Sequence, residues 1–300
     1  MKKIASLFIA LIMLLSLSVT AFANEREVVI GTVHTNEYDY ILSLQNATTE
    51  ELAEMGLTRA QANEVISEFE AALQERASLP DETLLAMGYT QDEINALHTC
   101  RTRNVLPVET MRAITGTCTG NITASKATAQ EATFKYAWFW DHPPIMKLKD
   151  SVAMRWLAYD KNGYEVDVTK TSEKCSISYY WNNRVQFTRS GTQEPDLDFN
   201  SLNFQSSTTM TEEAYAGNGY VRVSVKVEPE VHNSISYLKV AALYGHTTVG
   251  VGSPSIGLSP AGTISISFSG TINSVIDSIA GDKVKITKTE DPNSPNVSDI

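Results

Sequence analysis

The chain has 300 residues, with 24 Lys plus Arg against 35 Asp plus Glu, a formal net charge of −11, and 42% hydrophobic, 20% charged and 8% aromatic residues. That composition excludes a wholly disordered chain, a collagen-like chain and a polytopic membrane protein. The acidic balance argues against wholesale nucleic-acid binding, which needs a basic face for the phosphates.

Met1-Lys2-Lys3 is a short basic start, residues 4–20 carry no charge and are mostly aliphatic or small, and Ala21-Phe22-Ala23 is a small-x-small cleavage pattern. This three-part layout predicts a secretory signal peptide over 1–23, with the mature chain starting at Asn24. The alternative for such a run is a membrane anchor, but the cleavage pattern directly after it favours export without a stable anchor. Removing 1–23 leaves 22 bases against 35 acids, a net charge of −13.

The charge is concentrated. Residues 37–97 hold thirteen acids and only Arg59 and Arg76 as bases, a net −11. Within this stretch, 49–65 and 81–97 align without gaps, 32 residues apart, sharing Glu50/Glu82, Leu52/Leu84, Met55/Met87, Gly56/Gly88, Thr58/Thr90 and Asn63/Asn95. Gly56 and Gly88 suit the left-handed residue that ends a helix. Thr58 with Gln61, and Thr90 with Glu93, have capping-box spacing for the next helix. Ala62, Val65, Ile66, Phe69 and Leu73 then form one helical stripe. Residues 38–103 are therefore read as an acidic unit of helical hairpin repeats. The Met-Gly-Leu and Met-Gly-Tyr turns resemble those of ubiquitin-associated three-helix domains, a likeness of a few residues that implies packing and no ligand. The acidic face is either a solvated surface or a docking surface for a basic partner. No calcium-loop pattern occurs in it.

Residues 104–132 read as a linker, Thr-, Ser- and Ala-rich in its second half and open to proteolysis near 117–130. From Thr133 the period changes to two. Phe134, Tyr136, Trp138 and Trp140 alternate, as do Val152, Met154, Trp156 and Ala158. Asp160-Lys161-Asn162-Gly163 then gives a hairpin signal, with Tyr164, Val166 and Val168 returning. Further strands are expected at 177–181, near Val185 and Phe187, at 221–227, 237–243, 263–268 and 284–287. Residues 193–219 read as a long loop and 289–300 as a disordered tail. The fold class expected is α+β in two units: helical hairpin repeats, then an antiparallel β-sandwich of jelly-roll type over 133–288.

No nucleophile elbow, zinc-protease helix, P-loop or Cys-x-x-Cys occurs, so no catalytic residue, cofactor or metal is assigned. The five histidines are scattered. His142, beside Asp141, and His246, beside Gly245, are the most site-like. Trp138, Trp140, Trp156 and Trp181 hold all the tryptophan of the chain. They serve either as core or as an aromatic platform for a glycan. Cys100, Cys118 and Cys175 leave one over in any pairing. A Cys100–Cys118 disulfide would close a short loop worth about 3 kcal/mol, with pairing to Cys175 or three thiols as alternatives.

Residues 247–276 alternate small polar with aliphatic residues and carry no acidic or basic side chain other than His246 just before them, resembling in composition the insertion hairpins of β-pore-forming toxins. The full-length layout resembles secreted proteins of Gram-positive bacteria with a signal peptide, short helical repeats and a β domain, a likeness that implies no residue roles. The function expected is a secreted, non-enzymatic binding protein at or outside the cell envelope, its partner an envelope glycan or another extracellular protein. The alternatives are a pore-forming protein using 247–276 and a hydrolase without a local motif.

Overall fold

The structure, a computed structural model, describes residues 28–55, 57–101, 106–146, 149–181, 184–191, 201–207, 215–228, 234–246, 254–258, 264–268, 274–280 and 284–285. The expected signal peptide, residues 193–200 and 208–214 of the expected long loop, and the tail 289–300 lie outside the described residues.

The elements in chain order are β1 (Val28–Asn36), α1 (Glu37–Asn46), α2 (Thr49–Glu54), α3 (Arg59–Ala77), α4 (Asp81–Ala86), α5 (Gln91–Cys100), α6 (Val108–Ile114), β2 (Thr117–Thr128), β3 (Glu131–Trp140), β4 (Lys149–Tyr159), β5 (Glu165–Val166), β6 (Val168–Trp181), β7 (Arg184–Gly191), β8 (Ser201–Ser207), β9 (Tyr215–Val227), β10 (Tyr237–His246), β11 (Pro254–Leu258), β12 (Ile264–Phe268), β13 (Ser274–Ala280) and β14 (Val284–Lys285). The fold is mixed α+β. One sheet runs β1-β2-β3-β9-β6-β7 and a second β13-β10-β4-β5, with β14 also on β10 and β8 also on β4, while β11 and β12, among the described residues, pair only with each other. The described ladders are antiparallel.

Alternation along the strands builds one core from both sheets. Phe134, Tyr136, Trp138 and Trp140 of β3 and Val221, Val223, Val225 and Val227 of β9 share it with Val152, Met154, Trp156 and Ala158 of β4 and Leu238, Val240, Ala242 and Tyr244 of β10. Phe134 meets Trp156 at 5.0 Å between ring centroids, and Trp138 meets Tyr244 at 5.6 Å. Trp140 Nε1 donates to the Tyr244 hydroxyl at 3.1 Å, which links the sheets through a buried polar contact. Space for the large rings comes from glycine. A Cβ on Gly219 would lie 2.4 Å from Trp138 and 2.8 Å from the Ser176 carbonyl oxygen, and one on Gly120 would lie 2.5 Å from the Tyr136 hydroxyl. Overpacked cores lose about 1–3 kcal/mol. Gly219→Ala is therefore expected to destabilise the protein by that amount in urea denaturation, and an unchanged midpoint would show that Trp138 moves aside without cost.

The Asp160–Gly163 turn forms as expected. The Gly163 N–H donates to the Asp160 carbonyl at 3.1 Å, and Gly163 has φ 88°. The Asp160 carboxylate accepts from the Asn162 and Tyr164 N–H groups at 2.8 and 2.9 Å. These donors outweigh desolvation and hold its pKa below the usual value. The chain then leaves the second sheet after β5 and joins the first as β6, so Val166 and Val168 lie in different sheets.

Three sequence expectations change. The segment 104–132 is not a linker: it holds α6 and the whole of β2, which pairs with β1 on one side and β3 on the other. Cleavage near 117–130 is thereby disfavoured, since both edges of that strand are hydrogen-bonded. The β unit does not begin at Thr133: β1 and β2 are paired sheet neighbours, so all six described helices are an insert between two adjacent strands. The 193–219 stretch is not one loop, because β8 and the start of β9 fall within it.

In the insert, three capping boxes set the helix starts: Thr48 with Glu51, Thr58 with Gln61, and Thr90 with Glu93. Leu52, Leu57, Ala62, Val65, Phe69, Leu73, Leu84, Ile94 and Leu97 form a separate helical core. Ile145 and Met146, from the β3–β4 connection, belong to that helical core and not to the β core.

Candidate functional site at the junction of helices and sheets

The insert leaves and re-enters the β unit at one neck. Asn36, the last residue of β1, caps α1 by accepting from the Tyr38 N–H at 3.0 Å. Its amide donates to the Arg112 carbonyl and the Thr117 hydroxyl, each at 3.0 Å, so the start and finish of the insert are tied together.

Above the neck, the 141–146 segment between β3 and β4 plugs into the helices. Pro143 and Pro144 cannot donate backbone hydrogen bonds, and they present carbonyls. Arg76 of α3, only 4% exposed, donates to the Pro143 carbonyl at 3.1 Å and the Pro144 carbonyl at 2.9 Å. Its guanidinium also donates to the Tyr89 hydroxyl at 2.6 Å and lies 5.9 Å from that ring centroid. The next two residues present N–H groups. Glu37, the first residue of α1 and 1% exposed, accepts from the Ile145 and Met146 N–H groups at 2.7 and 2.8 Å. One planar donor and one bidentate acceptor thus satisfy four consecutive backbone groups that burial would otherwise strand, at about 1–3 kcal/mol each. His246, fully buried at the end of β10, brings Nε2 to 3.4 Å from Glu37 Oε1 and lies 5.0 Å from the Trp140 ring.

His142 completes the cluster. Its ring stacks on Tyr89 at 5.1 Å, with Nε2 3.5 Å from Glu93 Oε2 and Nδ1 3.3 Å from Asp141 Oδ1. These are ion-pair separations, not tight hydrogen bonds. Burial alone would lower the pKa of His142, but the Asp141 and Glu93 carboxylates outweigh it and raise the value to about 9. Burial likewise pushes Glu93 up, and His142 with the Thr90 N–H and hydroxyl outweighs that, leaving it at about 2. Both groups are therefore charged at neutral pH.

The sequence-derived site residues fare differently. His142 and His246 both enter this junction. Trp138, Trp140 and Trp156 do not form an aromatic platform: they are 1%, 4% and 2% exposed and pack between the sheets. Trp181 ends β6, and its side chain lies outside the described residues. The Cys100–Cys118 disulfide is not made. Cys100 is buried in the helical core and Cys118 in the β core, so the two thiols serve different interiors, and Cys175 is buried as well. Burial raises the pKa of Cys100, which keeps it an unreactive thiol.

Arg76 and Glu37 were not picked out from sequence. Arg76 carried a signal, for it continues the α3 stripe three residues after Leu73 and is one of two bases in an acidic stretch. Glu37 carried none, being one acid among thirteen.

Among the described residues, no group of three or more His, Cys, Asp and Glu side chains is placed to hold a metal ion. No described helix is long and apolar enough to cross a membrane. No family model and no curated protein matches the chain. A solved structure described as "AvmM Catalyzes Macrocyclization in Alchivemycin A Biosynthesis" is similar over 59% of this chain and 92% of its own, at 9% identity and a TM-score of 0.26. At that score the likeness transfers neither fold nor activity.

Proposed function

We propose that the chain is a secreted, non-enzymatic binding protein: a two-sheet β-sandwich that carries helical hairpin repeats as a rigid acidic platform for a basic partner. The observation that carries this reading is the fate of the two bases among residues 37–97. Arg59 turns back to donate to the Leu44 and Ala47 carbonyls, and Arg76 is buried in the junction. Ten of the thirteen acids stay exposed, among them Glu64, Glu68 and Glu75 along α3. Within 37–97 the exposed charge is thus almost wholly acidic, with Arg101 and Arg112, among the described residues, the exposed cations at the far end of the insert. Such a predominantly acidic surface steers cationic partners and repels anionic polymers. The burial of Trp138, Trp140 and Trp156 shifts the expected contact away from a tryptophan platform on the β unit and onto the helices.

The test is binding of the mature chain to a lysine-rich peptide, with E64Q/E68Q/E75Q as the matched variant. Exposed charges are screened within about 8 Å at physiological ionic strength. Affinity is expected to fall at least tenfold in the variant and to vanish in molar salt. Binding indifferent to both would make the acidic face a solvated surface. A second reading, membrane activity through 247–276, of which 247–253, 259–263 and 269–273 lie outside the described residues, draws on the β11–β12 ladder, which among the described residues joins neither large sheet. Leakage of dye from liposomes would establish that reading in place of the first.

A further inference from the structure

We infer that the contact between α5 and the β3–β4 connection is a proton-dependent latch, closed only while His142 carries a proton on both ring nitrogens. The geometry sets the requirement. Each nitrogen faces a carboxylate oxygen, Asp141 at 3.3 Å from the β unit and Glu93 at 3.5 Å from the insert. A neutral imidazole has one N–H and one lone pair. Whichever tautomer it adopts, one carboxylate then faces a lone pair. Both oxygens also accept short hydrogen bonds, Asp141 Oδ1 from the Thr117 and His142 N–H groups and Glu93 Oε2 from Thr90. What only the imidazolium supplies is therefore a positive charge and an N–H directed at each carboxylate, at a side chain 15% exposed where water substitutes poorly.

Four polar side chains surround the segment that carries His142: Tyr89, Arg76, Glu37 and His246. Tyr89 of the α4–α5 turn stacks on His142, and burial holds that phenol above its ordinary range. Arg76 of α3 stands behind Tyr89 as a fixed cation. Glu37 of α1 and His246 of β10 lie on the far side of the same segment and hold Ile145 and Met146. Loss of the His142 proton therefore opposes two carboxylates across the junction while the Glu37 and Arg76 clamps stay closed. The result is local release of α4 and α5, not unfolding.

The sign follows from the raised pKa. A histidine moved from 6.5 to about 9 adds stability that is complete below about 6.5 and is lost as the pH rises through about 9. Two measurements on the full mature chain test this. NMR of the imidazole nitrogens is expected to show both protonated at pH 7.5 in His142, with a midpoint near 9. Proteolysis by an alkaline-active protease, normalised to an unfolded peptide, is expected to rise at least tenfold within 81–100 between pH 7.5 and 10. H142Q is expected to be cut at the high rate at both pH values, and E93Q to bring the His142 midpoint down toward its ordinary value. A His142 ring that is neutral at pH 7.5, or cutting in the wild-type chain that does not change with pH, overturns the latch. The titration stands on the wild-type chain alone if either variant fails to fold.

Discussion

Replacing Glu37 by Gln is expected to destabilise the protein by about 2–4 kcal/mol, although the side chains are nearly identical in shape. The carboxylate accepts from two adjacent buried N–H groups, Ile145 at 2.7 Å and Met146 at 2.8 Å. A carboxamide offers one oxygen, so its NH2 group must point at the other N–H. One hydrogen bond to a charged acceptor, worth about 1.5–3 kcal/mol, is replaced by a donor facing a donor. The contact with His246 also loses its negative member. Guanidinium denaturation followed by far-UV circular dichroism measures the effect. A loss below about 0.5 kcal/mol would mean that the 141–146 backbone finds water instead, and that Glu37 is not a clamp.

Arg76→Met is expected to cost about 3 kcal/mol or more. Methionine fills much of the volume of the arginine stem, so the change isolates the guanidinium. Its removal strands the Pro143 and Pro144 carbonyls and leaves the Tyr89 hydroxyl with the Ile114 carbonyl at 3.4 Å. Buried groups deprived of partners cost about 1–3 kcal/mol each. Arg76→Lys is expected to fall between the wild type and R76M, because an ammonium cannot reproduce the planar fork that spans two carbonyls and a hydroxyl. Equal loss in both variants would point to packing of the stem, not to hydrogen bonding. The E37Q and R76M effects are expected to be non-additive, since both act on the same six-residue segment.

What sequence revealed here was local chemistry. The Thr58–Gln61 and Thr90–Glu93 boxes span three residues and form as read. The strong alternations of β3, β4 and β9 show directly because each strand buries one face against large or β-branched side chains. What stayed hidden was pairing at long range. β1 and β2 align Asn36 with Thr117 and Val33 with Gly120, across an insert whose own helical pattern masks the connection. β2 also alternates mostly small polar residues, a weak signal beside that of β3. The junction was half legible. His142 was flagged by its neighbour Asp141, but its second carboxylate, Glu93, looked like a capping residue, and it is one. The Thr90 N–H donates to Glu93 Oε2 at 2.7 Å, and the same oxygen faces His142. A residue with two tasks shows only the local one in sequence.

The 141–146 clamp ties the insert to the sheets through the Arg76 and Glu37 hydrogen bonds, so the two are expected to unfold as one cooperative body, and the chain carries separate reporters for its two parts. All four tryptophans lie in β3, β4 and β6, whereas every described helix lies between Glu37 and Ile114. Denaturation followed simultaneously by tryptophan fluorescence and by circular dichroism at the helical band reads the β unit and the insert independently. Coincident midpoints are expected for the wild-type chain, with the helical transition moving ahead of the fluorescence transition in E37Q. Two separate transitions in the wild-type chain would contradict the clamp.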